Sequence, residues 1–237
     1  MSLNMILPRE FYDRPSAMVA KQLLGKLLWR QTPAGKCGGR IIEVEAYEGT
    51  TDSAAHSYRG KTPRNASMFG PPGHAYVYAI HSRWCLNAVT EPEGVPTAVL
   101  IRAIEPLHGL ELMAKRRSEC LLARRERQGS GVFGVKQLPT AENHRRQRLP
   151  TPSATILIKP RDLCRGPARL CEALAIARNQ DGWNLTLGHN LWIEDDPDFK
   201  LSPRQITRSP RIGISSAQER LLRFYVRNNQ FVSGKRQ

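Results

Sequence analysis

The sequence predicts a mixed α+β domain in which strands pair as hairpins and helices lie at their edges. Three observations lead there. Short runs with period-two alternation recur through the first half of the chain, Gly- and Pro-rich turns separate them, and only a few stretches carry helical spacing. At 237 residues, with 40% apolar and 24% charged side chains, the chain suffices for one sizeable core. It shows no internal repeat and no linker, so a single domain over 1–237 is expected.

Residues 15–24 have the spacing of a helix, with Ser16 as a cap, Leu23 and Leu24 as apolar surface, and Gly25 as the stop. A strand is expected over 26–30, then a turn around 33–39. Residues 40–47 alternate, with Ile42, Val44 and Ala46 on one face and Ile41, Glu43, Glu45 and Tyr47 on the other. Residues 49–73 are rich in Gly, Pro, Ser and Thr, a long irregular loop of the kind that often carries function. Strands follow over 75–81 and 84–90, joined tightly at Ser82-Arg83, and a third over 95–104. A helix is expected over 107–117. The stretch 118–160 carries Arg124, Arg125, Arg127, Lys136, Arg145, Arg146 and Arg148 with few apolar anchors, and is expected to be a partly disordered basic insertion. Arg165-Gly166-Pro167 opens a short helix with Leu170 and Leu174 on one side, and strands are expected near 191–194 and 222–226.

Thirty-six Lys and Arg stand against 21 Asp and Glu, a formal charge of +15. Such a surface attracts polyanions, nucleic acid first and anionic membrane second, although a basic soluble protein without either partner fits the charge as well. No apolar run is long enough to span a bilayer, and residues 1–10 lack the charged start and apolar stretch of a secretory signal. The five cysteines include no C-x-x-C pair, so neither a zinc knuckle nor a disulfide framework is expected, and reduced thiols in a cytoplasmic setting fit best.

Glu45 is a carboxylate inside a strand of Ile, Val and Ala, where an unpaired charge is costly. It either faces water, pairs with a cation, or serves as a general base beside a positive partner. Arg102, within Val99-Leu100-Ile101-Arg102-Ala103-Ile104, is the candidate partner, since two lone opposite charges in separate apolar strands point to each other. His56 lies in the loop after Glu45 and is either a surface residue or a site residue. Tyr76 and Tyr78 share a strand face, with Tyr47 on another strand. Such aromatics either pack in a core or stack on a flat, cationic ring. No G-x-S-x-G elbow and no H-x-E with P-C-x-x-C is present, which removes the serine-hydrolase and zinc-deaminase readings.

Taken in order, Glu43-Val44-Glu45-Ala46-Tyr47, the stretch 52–57, Thr62-Pro63-Arg64-Asn65 with Met68-Phe69, Gly73-His74-Ala75-Tyr76-Val77-Tyr78, Leu86-Asn87 and Leu100-Ile101-Arg102-Ala103 resemble the signature of the 3-methyladenine DNA glycosylases. Gly166-Pro167-Ala168-Arg169-Leu170-Cys171, Arg211-Ile212-Gly213-Ile214 and Arg223-Phe224-Tyr225-Val226 resemble that family's later segments. The likeness runs from about residue 8 to residue 234 and breaks mainly at 118–160. It implies a curved, mostly antiparallel sheet with a protruding hairpin. It also implies a monomeric enzyme without metal or cofactor that flips alkylated or deaminated purines from duplex DNA and hydrolyses the N-glycosidic bond. It would work in the cytoplasm of a bacterium or the nucleus of a eukaryote. By the same resemblance Glu45 activates water and Arg102 helps to hold it. Tyr47 and His56 stack on one face of the flipped base and Tyr78 on the other. Asn87 on the pocket floor rejects the amino group of guanine, and the backbone at 211–214 helps to hold the water.

The stretch departs from the family pattern at the hairpin, where Tyr78-Ala79-Ile80-His81-Ser82-Arg83-Trp84-Cys85-Leu86-Asn87 is one residue short and has no aromatic wedge at its tip. His81 is the first candidate for the wedge and Arg83 the second, unless the hairpin touches phosphate alone. Arg64 and Asn65 are further candidates for DNA contact. A catalytically weakened DNA-binding protein on the same fold is the alternative to the glycosylase. A metal-dependent nuclease would need clustered acidic ligands that the matched positions do not offer.

Overall fold

The computed structural model describes residues 5–129 and 156–234, so Lys136, Arg145, Arg146 and Arg148 of the basic stretch lie outside the described residues. Two short helices, α1 (Arg9–Tyr12) and α2 (Ser16–Leu23), precede β1 (Leu27–Thr32) and β2 (Gly35–Tyr47). After the long connection 48–74 come β3 (Ala75–Ile80), β4 (Arg83–Thr90) and β5 (Thr97–His108). Then follow α3 (Leu110–Gly129), α4 (Pro167–Ala173), β6 (Leu191–Glu194), β7 (Ile206–Ser209) and β8 (Arg223–Val226). The strands form one eight-stranded sheet in the order β3-β4-β5-β2-β1-β6, with β8 paired to β2 and β7 to β8. Every pairing between these strands is antiparallel, as the mixed α+β class required.

The sheet forks at β2. One edge of β2 pairs with β5 along nearly its whole length. The other edge pairs first with β1, from Thr32↔Gly35 to Leu27↔Arg40, and then with β8, from Glu43↔Tyr225 to Glu45↔Arg223. Register shifts against β5 at Gly38/Gly39, Ile41/Glu43 and Glu43/Val44 mark bulges, which bend a strand and re-aim its side chains. Both faces of β2 are buried here, so Ile41, Ile42, Val44 and Ala46 all join the main core and Glu43 and Glu45 have no exposed surface. α2 packs Val19 and Leu23, and α4 packs Leu170, Cys171 and Ala173, into the same core.

Several expected boundaries shift, each for a physical reason. The turn expected over 33–39 is confined to its first residues, because the later glycines belong to β2. A Cβ on Gly39 would stand 2.0 Å from the Glu105 carbonyl oxygen, and one on Gly38 2.3 Å from that of Leu28. These glycines let three backbones crowd together. Pro15, rather than Ser16, caps α2; Ser16 is its first, buried residue and its side chain makes no capping bond. The hairpin tip is His81-Ser82 instead of Ser82-Arg83. Both residues have positive φ, 46° and 61°, the signature of a two-residue turn whose twist matches its strands. The helix expected to end at 117 runs on to Gly129, into the stretch read as an insertion. Arg117 and Arg124 on α3 both pair with Glu172 on α4, which ties the extra turns to the body. α1 and β7 had no sequence signal. Among the described residues, no helix is long and apolar enough to cross a membrane.

Candidate active site

A small hydrophobic cluster of Ala55, Met68, Tyr76, Val89 and Ala98, with Tyr47, Phe69 and Tyr78 packed on it, lies apart from the main core. Above it opens a cavity of about 640 Å³ lined by Tyr47, His56, Tyr78, His81, Asn87, Arg102 and the backbone of 212–216, among others. Tyr47 comes from the end of β2, Tyr76 and Tyr78 from β3, Asn87 from β4 and Arg102 from β5, so the sheet sets most of the wall. The loop 48–74 supplies the rest. Its start is pinned by Asp52, whose two oxygens take Arg211 Nη1 and Nη2 at 2.5 and 2.7 Å and the backbone N–H groups of Glu48 and Ala54. Neither the Asp52 nor the Arg211 side chain is exposed. Burial alone would raise the Asp52 pKa, but the Arg211 hydrogen bonds and charge outweigh it and hold the carboxyl below its ordinary value.

Glu45 lies behind the cavity wall, with no exposed surface. Its Oε1 accepts the backbone N–H of Ile212 at 2.7 Å and faces Arg102 Nη1 at 3.1 Å. Its Oε2 accepts the Tyr47 hydroxyl at 3.0 Å. All three partners line the cavity, and Glu45 reaches it through them. The strand pair that joins Glu45 and Leu100 in register explains why the two charges meet, as the lone acid and lone base of separate apolar strands required. Burial would weaken Arg102's hold on its proton; the charges of Glu45 and Glu43 more than reverse this. Burial, then the charge of Glu45, pushes the Tyr47 phenol well above its ordinary range, so it stays a neutral donor.

Tyr76 and Tyr78 lie with ring centroids 5.2 Å apart, and His56 meets Tyr78 nearly edge-on at 4.3 Å. His56 Nδ1 lies 2.8 Å from the Tyr76 hydroxyl, which draws the imidazole onto the same wall as the tyrosines. A ring sandwiched between two others needs them about 7 Å apart, two carbon–carbon contact distances. His56 and Tyr78, expected on opposite faces of a bound base, therefore stand in contact with each other, and Tyr47 is the further aromatic ring expected on the base that lines the cavity. Arg211 lies over the Tyr47 ring at 4.6 Å and braces it from behind. Burial, with Arg64 as the second cause, lowers the His56 pKa, so the ring is neutral at pH 7. Asn87 is buried and donates Nδ2 to the Tyr76 carbonyl at 3.0 Å, which fixes the orientation of its amide. Burial pushes the Cys85 thiol up, leaving it neutral, and among the described residues no lysine lines the cavity.

The other expected residues fall outside the cavity or at its rim. His81 and Ile80 lie at the hairpin tip and lip, both exposed. Arg83 is exposed on the same hairpin and close enough to Arg124 for the two charges to interact. Arg64 is exposed beside a second groove of about 370 Å³ that also has Arg178 and Trp84 on its walls. Asn65 is buried, and its amide is spent within the loop on Thr62, His56 and Gly60, so its side chain shapes the turn that presents Arg64 rather than reaching outwards. Sequence reasoning overlooked Glu43, the anchoring role of Tyr76 and the Asp52–Arg211 pair. A second acid two residues before Glu45 was the available signal for the first.

Residues 10–230 match the sequence profile of the methylpurine-DNA glycosylase family. A relative from Burkholderia lata is 43% identical over 230 residues, covering 97% of this chain and 91% of its own length. One from Methanocella arvoryzae is 41% identical over 232 residues, covering 96% of each chain. One from Alkaliphilus oremlandii is 39% identical over 236 residues, covering 98% of this chain and 100% of its own. All three carry, provisionally, the name 3-methyladenine DNA glycosylase.

Proposed function

The chain belongs to the methylpurine-DNA glycosylase family and is a DNA glycosylase, and on that premise we propose that it draws an alkylated purine out of duplex DNA into the slot beside Tyr47 and Tyr78 and hydrolyses the N-glycosidic bond with water activated by Glu45. The observation that carries this reading is the fully buried Glu45 carboxylate, held by Arg102, Tyr47 and the Ile212 amide against an aromatic-walled cavity.

A purine methylated at N3 is cationic and leaves as a neutral base, so the enzyme needs an oriented nucleophile and a counter-charge for the sugar cation. Glu45 supplies both: it takes a proton from water as the water adds to the anomeric carbon, and its charge stabilises the cation. The tyrosine faces attract the positive ring. A neutral His56 leaves that attraction unopposed, where an imidazolium would repel. The fixed Asn87 amide crowds the exocyclic amino group of guanine. Deaminated purines enter the same slot and are cut more slowly, because the bound base is neutral and must leave as an anion unless it is protonated. Extrusion is required because the reacting carbon is shielded in the stack. His81 fills the vacated space, and Arg64 and Arg83 hold phosphates. We read the active species as a monomer at work on chromosomal DNA, in the cytoplasm of a bacterium or the nucleus of a eukaryote.

Release of free 3-methyladenine from methylated DNA, in EDTA, tests the assignment. Wild type should release it and Glu45→Gln should not, although the variant still binds lesion duplex. Binding without release by the wild-type protein would favour the weakened DNA-binding reading, and release by Glu45→Gln would remove Glu45 from the chemistry.

A further inference from the structure

Behind Arg102 lies a second carboxylate that the reaction above does not use. Glu43 has no exposed surface. Its Oε1 accepts Arg102 Nε at 2.9 Å, Arg223 Nε at 2.8 Å and Ser233 Oγ at 2.9 Å, and its Oε2 accepts the Ser233 backbone N–H at 2.6 Å. Ser233 Oγ also accepts Arg102 Nη2 at 3.3 Å. The segment bearing Ser233 is itself held: Arg165 donates to the carbonyls of Val232 and Gly234, and Arg223 Nη2 to that of Ser233. Arg102 is thus engaged at all three nitrogens, Nε and Nη2 towards Glu43 and Ser233, and Nη1 alone towards Glu45.

The division of that guanidinium has a chemical effect. An arginine pairs most strongly with a carboxylate through two parallel N–H bonds, and a carboxylate so clamped is a poor base. Glu43 and Ser233 occupy the Nε–Nη2 edge, which leaves Glu45 one contact at 3.1 Å. We propose that Glu43, with Ser233, is a positioning residue for the hydrolysis: it holds Arg102 by one edge, so that Glu45 is oriented without losing its basicity. This rests on Glu45 as the general base. The charged and titratable groups facing the pair are Tyr47 on β2, Arg102 on β5, Arg223 on β8, Cys85 on β4, and Arg211 with its partner Asp52 on the loops. Asp52 is taken by Arg211, so Glu43 is the carboxylate that competes with Glu45 for Arg102.

In Glu43→Gln the competing charge is lost and Arg102 turns towards Glu45. The single-turnover rate on 3-methyladenine duplex should fall about ten- to hundredfold, as for a small misplacement of a catalytic group. The acid limb of the pH–rate profile should move to lower pH, because Glu45 then keeps its charge more readily. Affinity for the duplex should stay that of wild type. In an Arg102→Gln background Glu43→Gln should add little, since both act on one interaction. Ser233→Ala should lower the rate several-fold, again without further loss in Arg102→Gln, and it decides the matter if Glu43→Gln does not fold. Unchanged rates, a rate loss with an unmoved acid limb in Glu43→Gln, or losses that multiply with Arg102→Gln overturn the proposal. A silent Glu43→Gln beside an inactive Glu45→Gln sinks this inference alone; an active Glu45→Gln sinks the base assignment on which it rests.

Discussion

Glu43, Glu45 and Asp52 have no exposed surface, and each is met by at least one guanidinium. Stranding any one of them would cost several kcal/mol, on the order of 3–5 for a broken buried pair. His56 follows the opposite rule: it is kept uncharged by burial and by the nearby Arg64. Arg64→Gln removes a positive charge that disfavours the imidazolium, so the His56 pKa should rise towards its ordinary value, and an NMR titration of the ring would show it. A pKa that falls or stays put would mean that Arg64 does not act on the ring. Glu45 and Arg102 were legible in the sequence because each is a charge flanked by apolar residues in a strand. Glu43 was not, because its partners Arg223 and Ser233 come from distant segments that carry no sign of burial. The pairing of His56 with Tyr76 was hidden for a similar reason, since it depends on how a loop folds back over a strand.

Among the elements, the central hairpin strands and the strand of Glu45 were readable from alternation, and α4 from its Pro start and spaced leucines. β2 was read too short because glycine signals a turn unless one knows that backbone crowds it. Gly39→Ala tests that reason: its Cβ must displace the Glu105 carbonyl, and a loss of about 3 kcal/mol is expected in urea unfolding. An unchanged midpoint would show that the strands part without cost. α3 was read too short because arginines signal solvent, whereas Arg117 and Arg124 are consumed by Glu172. At the β3–β4 hairpin, His81 stands at the tip of a two-residue turn. His81→Ala should lower excision from alkylated duplex, because truncating a wedge removes compensation for unstacking. Unchanged single-turnover rates would show that the tip inserts nothing.

For the molecule as a whole, the charge of +15 predicts DNA affinity that falls steeply with salt. Each phosphate contact contributes about 0.9 to the slope of log affinity against log salt. If exposed Arg83 holds one, Arg83→Gln should flatten the slope by about that amount, whereas an unaltered slope would place the residue off the DNA. The forked sheet bears on a different property. Residues 43–45 are strapped to β5 along one edge and to β8 along the other, between buried faces. Fraying, which starts at free edges and loop ends, has no route to them. In deuterated solvent the amides of this stretch should therefore be among the last to exchange, released only when the entire fold opens. On the proposed mechanism, the carboxylate that activates the water keeps its place until the fold itself is lost.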